Sequence, residues 1–213
     1  MRDTLFIYGH ATLLLGNMRL LVAGGVVEGQ EDNTVFLLHI IDLGAGTITR
    51  LHADGAEPGA RYRMAAVLLG DELAVMGGWS VGEAPDTEDG MWMLNIADLS
   101  SSLLTWRHIK PTGDKLKAAG RHGHCAIGID DRTLLIHGGM TQDGRTPADV
   151  HLYDKVTDRW LTLFEGVDAS AEAEVPGRTS VRLRMQSYGR SMHDCVLYHG
   201  RIVVVGGKDR VNL

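Results

Sequence analysis

Cysteine, proline and long apolar runs are all scarce in this sequence, and each scarcity removes a class of protein. Only Cys125 and Cys195 occur in 213 residues, with no CxxC, which excludes a disulfide scaffold and fits a reducing, cytoplasmic setting. Five prolines exclude a proline-rich linker. No apolar run approaches the length that would span a bilayer, so membrane insertion is not expected. The opening MRDTLFIYGHATLLLGNM carries Arg2, Asp3 and His10 and belongs to the repeat described below, so it reads as mature sequence rather than a signal peptide. A net charge of −6 gives no general attraction to nucleic acid or anionic lipid. GxSxG, GxxxxGK[ST], HExxH and a GxGxxG opening a helix are all missing. What the chain has in quantity is glycine, 27 residues, on an ordinary globular background of 44% hydrophobic and 23% charged residues.

The glycines are organised. GHATLLLGNMRLLVAGG, RMAAVLLGDELAVMGG, GHCAIGIDDRTLLIHGG and MHDCVLYHGRIVVVGG align on a double glycine whose second member is Gly25, Gly78, Gly139 or Gly207. Repeats at intervals of roughly 50–70 residues point to a propeller or solenoid. Between the pairs lie TVFLLHIIDLGAGTITRL, GMWMLNIADLSSSLLTWRHI and ADVHLYDKVTDRWLTL, each an apolar run ending in Asp42, Asp98 or Asp154, a turn, and a second strand-like run. Each unit therefore predicts four short antiparallel strands. The runs RLLVA, ELAVM, TLLIH and RIVVV do not alternate, as expected of strands covered on both faces.

This pattern resembles the Kelch-repeat β-propeller family, which includes propellers like the central domain of galactose oxidase. Arg61, Arg121 and Arg190 each stand three residues before Met64, His124 and His193, ahead of strand one. Tyr153-Asp154 and Trp160 complete the pattern in the third unit, and Trp106 stands near the matching place in the second. The first unit departs with Ile7, Ile41 and Ile48, and the second with Met64 and Ala97. The resemblance implies an all-β fold with one propeller region over 1–213. Its units run over about 1–56, 57–112 and 113–165, with a partial unit at 186–213 and a long inter-blade loop at 166–185. Three full blades and half of a fourth imply a segment of a larger propeller or one completed by a partner chain, with open edges available for self-association. Thr4 to Tyr8 is a candidate to lend a strand to the last blade.

Chemistry is sparse by comparison. His122 and His124 form an HxH, too few ligands for a specific metal, and His124 shares its repeat position with His10 and His193. A structural role is expected for His124, whereas His122 is off-pattern and the better functional candidate. Cys125 and Cys195 lie in strand-one runs and read as buried thiols. The stretch from Glu165 to Ser191 begins acidic and ends basic, and reads as a mobile surface loop whose arginines could meet an acidic peptide or phosphate. No catalytic, metal or cofactor residue is assigned.

Function is expected on the loops. Those after the glycine pairs carry Glu28, Glu31, Asp32, Trp79, Glu83, Asp86, Glu88, Asp89, Asp143 and Arg145. The inter-blade loops carry Arg61, Arg63, Arg121, His122, Arg182 and Arg184, and the resemblance implies that both sets share one face. A mixed-charge rim with an aromatic suits a protein or peptide partner and a non-enzymatic scaffold or adaptor. The alternative is a Kelch-fold enzyme acting on a sugar, in the manner of sugar oxidases or mutarotases.

Overall fold

Short apolar runs separated by glycine, asparagine and aspartate turns fold into small antiparallel sheets in the computed structural model. It describes residues 6–29, 35–80, 90–99, 103–113, 120–165, 171–174, 182–185, 189–199 and 201–208. The first unit forms one four-stranded sheet from β1 (Ala11–Gly16), β2 (Arg19–Ala23), β3 (Leu38–Asp42) and β4 (Thr47–Arg50). The second unit repeats it with β5 (Ala65–Leu69), β6 (Glu72–Met76), β7 (Met91–Asn95) and β8 (Thr105–Ile109). The third does so with β9 (Cys125–Gly128), β10 (Thr133–His137), β11 (Val150–Asp154) and β12 (Arg159–Phe164). Asp54–Gly55 and Thr112–Gly113, on the way from one unit to the next, add parallel fifth strands to β8 and β12. The result is an all-β repeat fold of four- and five-stranded sheets, as expected of propeller blades. Among the described residues no helix is long and apolar enough to cross a membrane.

The residue closing the third strand has a local job. Asp154 Oδ1 accepts the N–H groups of Val156 and Thr157 at 2.8 and 3.2 Å, capping the turn into β12. Asp42 accepts Ala45 N–H at 2.7 Å, and in the second unit Asn95 accepts Ala97 N–H at 2.9 Å. The strand register agrees, pairing Arg19 with Asp42, Glu72 with Asn95 and Thr133 with Asp154. Asn95 and Leu94 therefore hold the places that sequence alignment gave to Asp98 and Ala97, a slip of three residues. Trp106, opposite Leu94, matches Trp160, opposite Tyr153.

Double glycines form the seams between units. At the third pair, a Cβ on Gly138 would fall 2.7 Å from the His193 ring and 2.6 Å from the Arg190 carbonyl oxygen, both of the next unit. A Cβ on Gly139 would meet His124 of its own unit at 2.7 Å. Both glycines have positive φ, 65° and 92°, so the pair serves steric and backbone needs together. Behind the glycines the sheets bury their faces against each other. Leu21, Leu38, Leu73 and Trp92 fill the first seam, Met76, Met93, Leu134 and Trp160 the second, and Leu135, Leu152 and Ile202 the third. His124 packs against Gly77 at the second seam, the structural role its repeat position implies. Burial, helped by the Arg121 charge, lowers its pKa to about 3, so the ring is neutral at pH 7.

Two expectations are overturned, and a third gains detail. Ile7–Tyr8 pairs with Val26–Val27 of its own unit and not with the last sheet. The stretch from Glu165 to Ser191 holds a formed hairpin, β13 (Ala171–Glu174) paired with β14 (Arg182–Met185), which sets the acidic half in register with the basic half. Cys125 and Cys195 are joined by a disulfide rather than remaining thiols, because β9 packs directly against the final hairpin of β15 (Ser191–Tyr198) and β16 (Arg201–Lys208).

Candidate binding face and pocket

Short bridges bring both loop families to one face. Arg61–Tyr62 pairs with Trp79–Ser80, and His122 pairs with Met140, so each inter-blade segment is tied to the loop after its own glycine pair. Neighbouring units are joined there too. Arg63 N–H donates to Gly9 O at 2.7 Å, Gly123 N–H to Arg63 O at 2.8 Å, and Met192 N–H to Gly123 O at 2.8 Å. All four residues take left-handed backbone, with φ of 68°, 57°, 63° and 58° from Gly9 to Met192. At Arg63 this conformation leaves the side chain exposed, its guanidinium 5.7 Å from the centre of the Tyr62 ring. Tyr62 in turn meets Tyr8 edge-on at 6.2 Å.

Arg121 lies at the bottom of this face. Its side chain is fully buried, and its guanidinium makes a fork-to-fork pair with Asp149 at 2.7 and 2.9 Å while also donating to Gly138 O at 2.9 Å. Asp149 Oδ2 also receives His151 Nε2 at 2.9 Å, and His151 Nδ1 meets Thr162 Oγ1 at 3.0 Å. Burial alone would raise the Asp149 carboxyl, but the bonds from Arg121 and His151 hold it well below the ordinary carboxylate range. Thr162, His151 and Asp149 thus follow the order of a nucleophile relay, yet the carboxylate is committed to Arg121 and both His151 and Asp149 are buried. The chain fixes β11 to β12. Above it opens a pocket of about 410 Å³ walled by Thr141, Gln142, Asp143, Arg145 and Pro147. Asp143 accepts the Thr141 hydroxyl at 2.6 Å and pairs with Arg145 at 2.5 Å. Those bonds hold the exposed Asp143 carboxyl below its usual range. A second pocket, about 420 Å³, lies at the opposite turns around Leu14, Asp71 and Ile96 and contains none of the candidate residues.

The candidates divide in several ways. Arg121, Asp143 and Arg145 share the pocket, although Arg121 forms its floor rather than an open loop charge. Arg61 is likewise buried. It donates to Pro58 O and to Gly77 O, the latter at 3.0 Å, and its guanidinium lies 4.0 Å over the Trp92 ring. Both arginines are therefore spent on the fold, each supplying a donor to the carbonyl before the second glycine of its pair. Arg190 supplies one to Gly206 O at 3.0 Å. Trp79 is half-buried and meets His122 edge-on at 5.1 Å, where burial and then Arg63 lower the histidine's pKa. Glu28 is exposed, its N–H bonded to Phe6 O at 3.1 Å. Arg182 and Arg184 lie on β14. Glu31, Asp32, Glu83, Asp86, Glu88 and Asp89 lie outside the described residues. Sequence reasoning missed Asp149, His151 and Thr141. Asp149 could have been found only by pairing strands, since it stands 28 residues from Arg121.

Residues 5–207 match the KLHDC2/KLHL20/DRC7 Kelch-repeats domain family. Among curated proteins, the chain is 28% identical to Tip elongation aberrant protein 1 of Schizosaccharomyces pombe over 62% of its own length and 11% of that protein. It is 27% identical to Host cell factor of Drosophila melanogaster over 60% of its length and 9% of that protein. Similarity to human Kelch domain-containing protein 3, at 22% identity, extends over 94% of the chain and 47% of that protein. The chain thus spans about half of one of these relatives and about a tenth of the other two.

Proposed function

This chain belongs to the Kelch-repeat family, and from that premise we propose that it is a non-enzymatic module that binds a protein or peptide partner through the face around the Arg121–Asp149 floor. Domains of this subfamily are typically adaptor modules for proteins or peptides and are not catalytic. The observation that carries the choice of face is the pocket of about 410 Å³, whose buried ion pair gives it a rigid, charged bottom and whose rim carries both signs. An extended peptide suits such a rim, because its backbone groups and side chains can meet fixed donors and acceptors without either partner folding anew. Trp79, His122, Tyr62 and Arg63 extend the same face with aromatic and cationic surface, the residue types that dominate binding energy at interfaces. Selection of binders from a displayed library of unstructured peptides tests the face. Binders should be lost when Asp143→Lys and Arg145→Glu are introduced together. Binders that keep their affinity for that variant would remove the pocket from the proposal.

The proposal takes residues 1–213 as one propeller region, with the unit boundaries given above, and includes two further elements. One is association between copies through the ends of the ring. Val196, Tyr198, Val203 and Val205 expose an apolar face on the last hairpin, and among the described residues β16 pairs with no strand other than β15. Sedimentation should show oligomers that dissociate in a Val203→Lys, Val205→Lys variant, and a strictly monomeric parent would sink this element. The other is a cytoplasmic location, against which the Cys125–Cys195 disulfide weighs and which cell fractionation tests.

A further inference from the structure

The third seam differs from the other two in its chemistry. Where β1 pairs with β2 the facing residues are Ala11 and Ala23, and where β5 pairs with β6 they are Ala65 and Met76. At the same position β9 and β10 pair Cys125 with His137. The neighbouring strand β15 adds His193 and Cys195, two residues apart and so on one face of the strand. His137 Nδ1 and His193 Nε2 stand 3.0 Å apart, and the Cys125 sulfur and one nitrogen from each ring all lie within 4.8 Å of one another. Cys125, His137 and His193 are buried, and Cys195, half-buried and bonded to Cys125, brings a second sulfur to the cluster. The fold does not require Cys125, His137 or Cys195, since Ala65, Met76 and Ala66 hold their places in the second unit, and His193 alone recurs at the second seam, as His124.

We propose that Cys125, Cys195, His137 and His193 form a redox-gated zinc site, closed as a disulfide and opened by reduction to a two-cysteine, two-histidine set. Zinc bonds of about 2.0–2.1 Å to nitrogen and about 2.3 Å to sulfur place tetrahedral donors about 3.3–3.8 Å apart. That spacing is bracketed by the 3.0 Å between the rings and the 4.8 Å limit that holds for Cys125, His137 and His193, while the two bonded sulfurs must separate on reduction. In the disulfide the sulfurs are bonded to each other and are not thiolates, so the set is incomplete. A dithiol reductant transfers two electrons and two protons, breaking the sulfur–sulfur bond to give two thiols and itself becoming a cyclic disulfide. Zinc(II) then binds both sulfurs as thiolates and releases two protons. The proton shared between the two imidazoles leaves its facing nitrogen for the other nitrogen of the same ring, so both facing lone pairs become free for the metal. One seam is thereby clasped in either state, by a covalent bond when oxidised and by a metal when reduced.

Cobalt(II) reads the site directly. Protein reduced with a phosphine, which leaves no competing thiol, should take up one equivalent and show thiolate-to-metal charge-transfer and tetrahedral d–d bands that zinc displaces. Oxidised protein should show neither. His137→Asn with His193→Asn should abolish the bands, and their survival in that variant would assign them elsewhere. Should the variant not fold, alkylation of the reduced native protein decides. Stoichiometric zinc should slow modification of both cysteines at least tenfold, and unchanged rates, like the absence of bands, overturn the proposal.

Discussion

The second and third units solve the same electrostatic problem in different ways. Each buries an arginine beneath the binding face to donate to a glycine carbonyl, Arg61 to Gly77 and Arg121 to Gly138. In the third unit Asp149 stands beside the guanidinium and His151 backs the carboxylate. In the second, Gly90 and Trp92 occupy those two places, and Arg61 lies over the indole. His108, in the position of Thr162, stacks on Trp92 at 4.8 Å and lies where a Cβ on Gly90 would be. One repeat position is thus satisfied by a hydrogen-bonded ion pair in one unit and by an aromatic face in the next. The repeat fixes the arginine and its carbonyl, while the surroundings of the charge are free to vary and to shape the pocket above.

The largest expected effect comes from breaking the ion pair. Asp149→Asn leaves a buried guanidinium without its counter-charge and should lower stability by about 3–5 kcal/mol in urea unfolding. Because the carboxyl pKa is depressed in the folded state, its contribution is fully present above the unfolded value. It is lost as pH falls through and below about 4. The gap between native protein and Asp149→Asn should therefore stay constant from neutral pH down to mildly acid conditions and then shrink. A gap that widens on acidification would contradict the pairing. Arg61→Met, by contrast, removes the cation–π contact with Trp92 and the bonds to the Pro58 and Gly77 carbonyls, and should cost about 2 kcal/mol. Equal losses for the two variants would erase the distinction between the units.

The same contrast shows what a linear reading can and cannot reach. The double glycines revealed the unit count, because the steric need at Gly138 and Gly139 recurs at every seam and leaves few substitutes. Register in the second unit was hidden because Asn95 caps its turn as well as an aspartate would, so a search for aspartate slid on to Asp98. Arg61 and Arg121 read as loop charges, since nothing in their neighbours along the chain announces burial. The partners that decide their role come from strands folded back over 16 to 28 residues. Asp149 was missed for the same reason, and Cys195 meets Cys125 only across a separation of 70 residues. Periodic constraints were legible. Pairwise ones, made once and between distant strands, were not.

The smallest effect isolates the far end of the third unit's network. With the Asp149 carboxylate as acceptor, His151 donates through Nε2 and leaves Nδ1 to accept the Thr162 hydroxyl. Thr162→Val keeps the shape of the side chain and removes only that donor. Thr162 is half-buried, so water can replace part of what is lost, and the cost should be about 1 kcal/mol. Combined with Asp149→Asn, the two losses should sum to less than their separate values, because His151 will already have lost the partner that orients it. Full additivity would mean that the histidine is held by packing alone, and that Arg121 by itself keeps Asp149 charged. A Thr162→Val loss as large as that of Asp149→Asn would instead make His151 the dominant partner, and the buried arginine of the third unit would then resemble Arg61 more closely than the geometry implies.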